Sequence, residues 1–317
     1  MSTCAYERWE LTIRQGNQDQ RRAIRLPVIV NRAGGAASAS GDKLGDELEA
    51  AFAAAGCDID LQMVEGAELG AAFDKAAEAD RVVVGGGDGT ISSAAGALAG
   101  KHAALALLPL GTLNHLARDV GIPADLKEAA NLAAHGKVAA IDVAVLNGNR
   151  FVNNASIGLY PSMVTLREDL RTRTGLPKWL ATVPAGWNVL RRFKQNRLVV
   201  DMGKGPQPLT TTMLFVGNNV YSLDAGSVGT RESLCDGLLS VFAVRHRSRL
   251  ALIWFGLRAA LGRADKRSDF VLLGSCERLT VSSHRQEINV GIDGEVECLR
   301  FPLEFTIEPG ALRVVCT

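Results

Sequence analysis

The chain has 317 residues, 47% of them hydrophobic and 22% charged, with a formal net charge of +1. That is a globular composition with length for about two domains, and its near-neutral balance supplies no basic field for a nucleic acid. Six cysteines without a C-x-x-C pair indicate neither a zinc site nor a disulfide framework, so a reducing cytoplasm is the expected compartment.

Residues 1–24 read as a polar extension with no apolar core of the signal-peptide kind. From Leu26 the pattern is strand then helix, repeated. Strands are expected at 26–30, 59–64, 81–84 and 104–108, and helices at 42–55, 69–79, 91–98 and 113–120. This alternation predicts a parallel sheet with helices on both faces, over residues 25–140. Beyond it the pattern changes. Strands are expected at 141–146, 151–156, 198–202, 211–217, 238–245, 270–274, 278–283, 287–292 and 301–307, with helical insertions near 161–170, 176–196 and 249–261. Residues 141–310 therefore read as a β-rich, sandwich-like domain. A last strand at 311–316 is placed to return to the first domain. The fold class is α/β, with a parallel-sheet domain followed by a β-sandwich domain. The longest apolar run, 250–257, is far too short to span a membrane.

Three strand ends carry glycine loops. After the third strand the chain reads VVVGGGDGT (82–90), and after the fourth PLGTLNHLARDVGIP (109–123); Asn31-Arg32-Ala33-Gly34-Gly35 follows the first. Glycines let backbone amides approach an anion, and a helix N-terminus adds its dipole, so strand–glycine–helix units suit phosphate. Thr90 and Thr112 are placed to cap the helices that follow. On its own, each loop is equally a tight turn. Asp88 stands out: among phosphate-binding amides it implies a metal-bound polyphosphate, or else a plain turn aspartate. Three such loops at the carboxyl ends of parallel strands favour a ligand. Neither the dinucleotide fingerprint nor the Walker A loop is matched.

The ordered set of VVVGGGDGT, PLGTLNHLARDVGIP, Asn31–Gly35, Asp236-Gly237-Leu238 and Ile292-Asp293-Gly294-Glu295 resembles the catalytic family of diacylglycerol kinases. That family includes bacterial lipid kinases and sphingosine and ceramide kinases, and it shares G-G-D-G-T with NAD kinases. The resemblance implies a nucleotide-binding α/β domain, a β-sandwich domain and an active site in the cleft between them. It implies ATP with Mg2+ as cofactors and a lipid hydroxyl as acceptor. By motif match, Asn31, Gly34 and Gly35 would lie in the nucleotide loop. Gly86, Gly87, Asp88, Gly89, Thr90, Gly111, Thr112 and Asn114 would surround the phosphates. Asp293 or Glu295 would be the base, with Asp88 beside them in the catalytic set. A structural Mg2+ of bacterial members maps onto Ser233, Asp236 and Leu238, with Asp142 in its electrostatic network. Two positions depart from the family's pattern. His115 stands where many relatives have aspartate, and Val64-Glu65 stand near a position that usually carries threonine.

Phosphoryl transfer asks a protein mainly for positioning and charge stabilisation, plus an acceptor for the alcohol proton. Asp293-Gly294-Glu295 offers two carboxylates around a glycine, a pattern that also suits a hairpin turn. Basic and aromatic residues alternate in two stretches, from Arg167 to Arg197 around Trp179 and Trp187, and from Arg245 to Arg267 around Trp254. Both suit an anionic lipid surface, and equally a pair of packed helices with solvated faces. The expected protein is a cytoplasmic lipid kinase associated peripherally with the membrane that holds its substrate. NAD kinase and a catalytically silent nucleotide- or lipid-binding protein are the rival readings. Nucleic acid is not an expected partner, and a homodimer is left open.

Overall fold

The structure, a computed structural model, describes residues 25–33, 43–158, 161, 195–221, 231, 233–244 and 270–317. Gly34, Gly35 and almost all of the two basic–aromatic stretches lie outside the described residues. Strands β1 (Leu26–Asn31), β2 (Ile59–Val64), β3 (Arg81–Gly86) and β4 (Ala104–Pro109) form a parallel array in the order β2-β1-β3-β4. Their near-continuous apolar sequences follow from burial on both faces. Helix α1 (Lys43–Ala54) packs Leu44, Leu48, Ala51 and Phe52 against one face, and α2 (Leu69–Ala76) and α3 (Asp88–Leu98) cover the other.

A helix that the periodicity did not announce, α5 (Leu126–His135), joins α1. Its signal is local: the Asp125 carboxylate caps the amides of Lys127 and Glu128, and Glu128 follows three residues later, as in a capping box. The helix expected at 113–120 is shorter, a single five-residue turn α4 (His115–Asp119) begun by Asn114 in a left-handed conformation. Thr112 therefore does not cap it.

The strand expected at 311–316 is the end of a 14-residue strand, β16 (Leu303–Cys316). β16 runs antiparallel to β5 (Lys137–Leu146) with a register shift between Glu308 and Leu312. Its last part lies parallel to β4, while Leu303–Thr306 pair with β13 (Arg278–Ser282). The β5–β16 ribbon thus belongs to both halves of the molecule. It extends the first sheet through β13 into β8 (Asn196–Asp201) and β9 (Gln207–Thr211), with β6 (Asn149–Phe151) paired to β5.

The second sheet is antiparallel among the described residues. Its order is β12 (Phe270–Cys276), β11 (Leu239–Val244), β10 (Met213–Asn218), β7 (Asn154–Gly158), β14 (Glu287–Ile292) and β15 (Glu295–Arg300). β9 and β15 were not anticipated. β15 reads as a polar strand because it is an edge strand, with a half-exposed, charge-rich sequence. Phe151, Ile157, Leu214, Val241, Val281 and Phe305 fill the space between the two sheets.

Candidate active site

The carboxyl ends of β1, β3 and β4 lie side by side because these strands are neighbours in the sheet. α3 begins inside the G-G-D-G-T motif: Gly87 is its N-cap, and Asp88, Gly89 and Thr90 are its first three residues. Thr90 is therefore not the cap. The first helical hydrogen bond runs from the Ile91 amide to the Gly87 carbonyl. The amides of Asp88, Gly89 and Thr90 are the orphan donors of the helix start, at the positive end of its dipole. Gly86 is needed because Thr90 lies directly over it; a methyl there would stand 2.6 Å from the Thr90 Cβ. Thr90 is buried, and its Oγ1 accepts the Asn31 side-chain amide at 2.9 Å. Asn31 thus braces the turn from β1, and its own Oδ1 holds the Ala33 amide.

Asp88 links two of the glycine loops. Its Oδ1 accepts the His115 amide at 2.7 Å, joining the β3–α3 turn to the start of α4. His115, the family departure, serves here through its backbone, while its ring Nδ1 lies 3.1 Å from Arg118. Asn114 spends its amide on its own loop, with Oδ1 accepting from the Gly111 amide and Nδ2 donating to the carbonyls of Pro109 and Gly111. The two glycine loops touch backbone to backbone: a methyl on Gly111 would stand 2.7 Å from the Gly87 Cα. Asn114 Oδ1 would stand equally close, at 2.7 Å, but the Gly87 backbone cannot yield as a side chain does, so Gly111→Ala is expected to push the loops apart. It should cost about 1–3 kcal/mol, as overpacking does, and raise KM for the nucleotide; a denaturation midpoint and a nucleotide titration check both. Thr112 remains exposed at the loop tip.

The β14–β15 hairpin brings two carboxylates to α3 in different roles. Asp293 is buried, with φ +46. Its carboxylate accepts from Ser92 Oγ at 2.5 Å and from the amides of Val152, Asn153 and Asn154 at 2.8–2.9 Å. Burial pushes its carboxyl above the usual aspartate range, opposed by these four donors. Glu295, two residues on, is exposed, and its carboxylate has no hydrogen bond or ion pair among the described residues. Its carboxylate leans over the start of α3, where a methyl on Gly89 would stand 3.0 Å from Oε1. Glu295 faces a groove of about 290 Å³ between α3 and the β5–β6 and β14–β15 hairpins, lined also by Ser92, Ser93, Asn149 and Glu297.

Residues 25–146 match the sequence profile of the diacylglycerol kinase catalytic domain. This part of the chain is similar to that family. Two bacterial proteins, each named "Probable lipid kinase YegS-like", are similar to part of the chain. The one from Cronobacter sakazakii is 38% identical over 102 residues, 31% of this chain and 34% of the relative. The one from Enterobacter sp. strain 638 is 41% identical over 90 residues, 27% of this chain and 30% of the relative. The matched segments thus span about a third of these relatives' length. Likeness of fold reaches much further. A diacylglycerol kinase crystal structure from Bacillus anthracis str. Sterne covers 96% of this chain and 98% of its own, with a TM-score of 0.70 at 23% identity. Another covers 92% and 97%, with a TM-score of 0.64 at 19% identity. The two-domain α/β and antiparallel arrangement is therefore that of diacylglycerol-kinase structures.

The residues assigned by resemblance to a structural cation lie in and beside the loop before β11, where Asp142 also donates its amide to the Leu234 carbonyl at 2.8 Å. Both oxygens of the buried Asp142 receive backbone amides, from Gly237 at 2.7 Å and Gly310 at 2.8 Å. Asp236 is exposed and accepts the Val220 amide, and Ser233 Oγ accepts from Cys235. Among the described residues no group of three or more His, Cys, Asp or Glu side chains could hold a metal. N–H dipoles aimed at Asp142 supply the positive partner a cation would otherwise provide. Asp142 fastens the β5–β16 ribbon to the loop before β11.

Sequence reading missed Ser92, Asp119, Asn153 and Arg231. Arg231 is buried and pairs with Asp119 at 2.6 Å. It also donates to the carbonyls of Val152 and Asn218 and lies 5.5 Å from the Tyr221 ring centroid. Tyr221 donates to the Asn153 carbonyl, and burial pushes its hydroxyl up to about 12, so it stays a neutral donor.

Proposed function

We propose that the chain is an ATP-dependent lipid kinase that transfers the γ-phosphoryl group to a hydroxyl of diacylglycerol or a related lipid. The observation that carries this reading is Glu295, whose carboxylate has no partner among the described residues and is held over the amide-rich start of α3 at the mouth of a polar groove. The nucleotide, with Mg2+ as part of the substrate, would lay its phosphates against the open amides of Asp88, Gly89 and Thr90, beside Thr112. The lipid hydroxyl would enter the groove between α3 and the hairpins. Its oxygen forms a bond to Pγ as the bond from Pγ to the β,γ-bridging oxygen breaks. The hydroxyl proton passes to Glu295, and ADP leaves. Asp293, with its acceptor capacity spent on Ser92 and three amides, holds the hairpin in place.

The lipid resides in a bilayer, so the enzyme would work at a membrane surface. Among the described residues no helix is long and apolar enough to cross one.

The test is ADP release by purified protein with Mg2+ and ATP, against dispersed diacylglycerol, ceramide and phosphatidylglycerol, and against NAD. Turnover that requires a lipid, with recovery of the phosphorylated lipid, is the expected result. Phosphorylation of NAD without lipid turnover would replace this reading with that of an NAD kinase. Nucleotide binding with no acceptor phosphorylated across the panel would overturn the kinase reading in favour of a binding protein.

A further inference from the structure

A ring of buried and partly buried polar links closes around the candidate site. It starts at Asp88 on α3, which holds the His115 amide at the start of α4. α4 ends at Asp119, whose Oδ2 takes two bonds from Arg231, at 2.6 and 2.9 Å. Arg231 continues to the Val152 carbonyl at 2.5 Å and to Asn153 Oδ1 at 3.3 Å. The amides of Val152, Asn153 and Asn154 are held in turn by Asp293, which returns to α3 through Ser92. Residues 152–154 are thus gripped from both sides, with carbonyl oxygens on a guanidinium and amide hydrogens on a carboxylate.

We infer that Arg231 is a positioning residue that sets Glu295 relative to the phosphate-binding turn. Glu295 reaches the start of α3 only because Asp293 is anchored to residues 152–154. Those residues are tied to the nucleotide loops through Arg231 and Asp119. The guanidinium suits this task because its planar fork can serve a carboxylate and two carbonyls at once, which an ammonium cannot. Its charge is fully desolvated, so its geometry is set by its partners and not by water. Arg231 touches neither reactant.

This role rests on the kinase reading, and the test separates the two. Arg231→Lys and Asp119→Asn are made singly and each in a Glu295→Gln background, with turnover normalised to folded protein by a denaturation midpoint. A misplacement of the order of 1 Å costs roughly a hundredfold in rate. Each single variant is expected to lower kcat by about 10- to 100-fold and to change KM for ATP by less than about threefold. In the Glu295→Gln background the same substitutions should change the residual rate by less than about twofold, because their effect passes through Glu295. Losses that multiply in the double variants, or turnover per folded molecule unchanged in the single ones, would leave Arg231 a purely structural residue and overturn the inference. If Arg231→Lys fails to fold, Asp119→Asn, which keeps an acceptor oxygen, decides alone. Absence of phosphoryl transfer by the unaltered protein to every lipid would overturn the kinase reading itself, and this role with it.

Discussion

Glu295→Gln is expected to lower lipid-dependent phosphoryl transfer by about 10²- to 10⁴-fold, the usual contribution of a positioned proton acceptor. Glutamine keeps the size and reach of the side chain and removes only its basicity. Glu295 is exposed and its carboxylate makes no hydrogen bond among the described residues, so stability should move by no more than about 0.5 kcal/mol. Binding of ATP should persist, since the open amides at the start of α3 do not depend on the carboxylate. The measurements are single-turnover transfer, a nucleotide titration and a denaturation midpoint. Retention of more than about a tenth of the wild-type rate would remove Glu295 from the role of base.

Asp293→Asn is expected to act the other way, with its largest effect on stability. The carboxylate accepts from Ser92 Oγ and three backbone amides. In asparagine one oxygen becomes an NH2 group, which faces N–H or O–H donors on either side of the site. Buried donors left unpaired cost about 1–3 kcal/mol, and more where the lost partner was charged. A loss of about 2–4 kcal/mol follows. The backbone does not add to this, because asparagine tolerates the left-handed conformation that Asp293 occupies at φ +46. Asp293→Ala would add strain to the same loss. Chemical denaturation gives the first number and turnover per folded molecule the second. Should Asp293→Asn prove the more stable of the two variants and the less active, the base would be Asp293 and the hairpin would be anchored otherwise.

These two expectations show where the sequence and the tertiary structure divide the information. The order of strands and helices in residues 25–140 was legible because a parallel sheet buried on both faces writes itself as short apolar runs separated by amphipathic helices. The glycine turns were legible as turns between strand and helix because a strand end, glycines and a helix start are neighbours in the chain. The pair Asp293 and Glu295 was legible as a candidate for the same reason. Elements of weak pattern were not. β15 is a polar edge strand, α5 is announced mainly by its cap at Asp125, and β16 reads as two strands because it crosses from one half of the molecule to the other.

The sequence by itself determined the α/β order, the three glycine loops and the short list of carboxylates. Only the tertiary structure decided which carboxylate is spent and which has no partner among the described residues. Asp293 is saturated by groups about 140 and 201 positions away, and Asp142 by amides 95 and 168 positions away. The Asp119–Arg231 pair spans 112 positions. Propensity and periodicity report on neighbours a few residues apart, whereas a carboxylate's role depends on which donors the fold delivers to it. Of two carboxylates two positions apart on one hairpin, Asp293 becomes an anchor because it meets four donors, and Glu295 a candidate base because it meets none among the described residues.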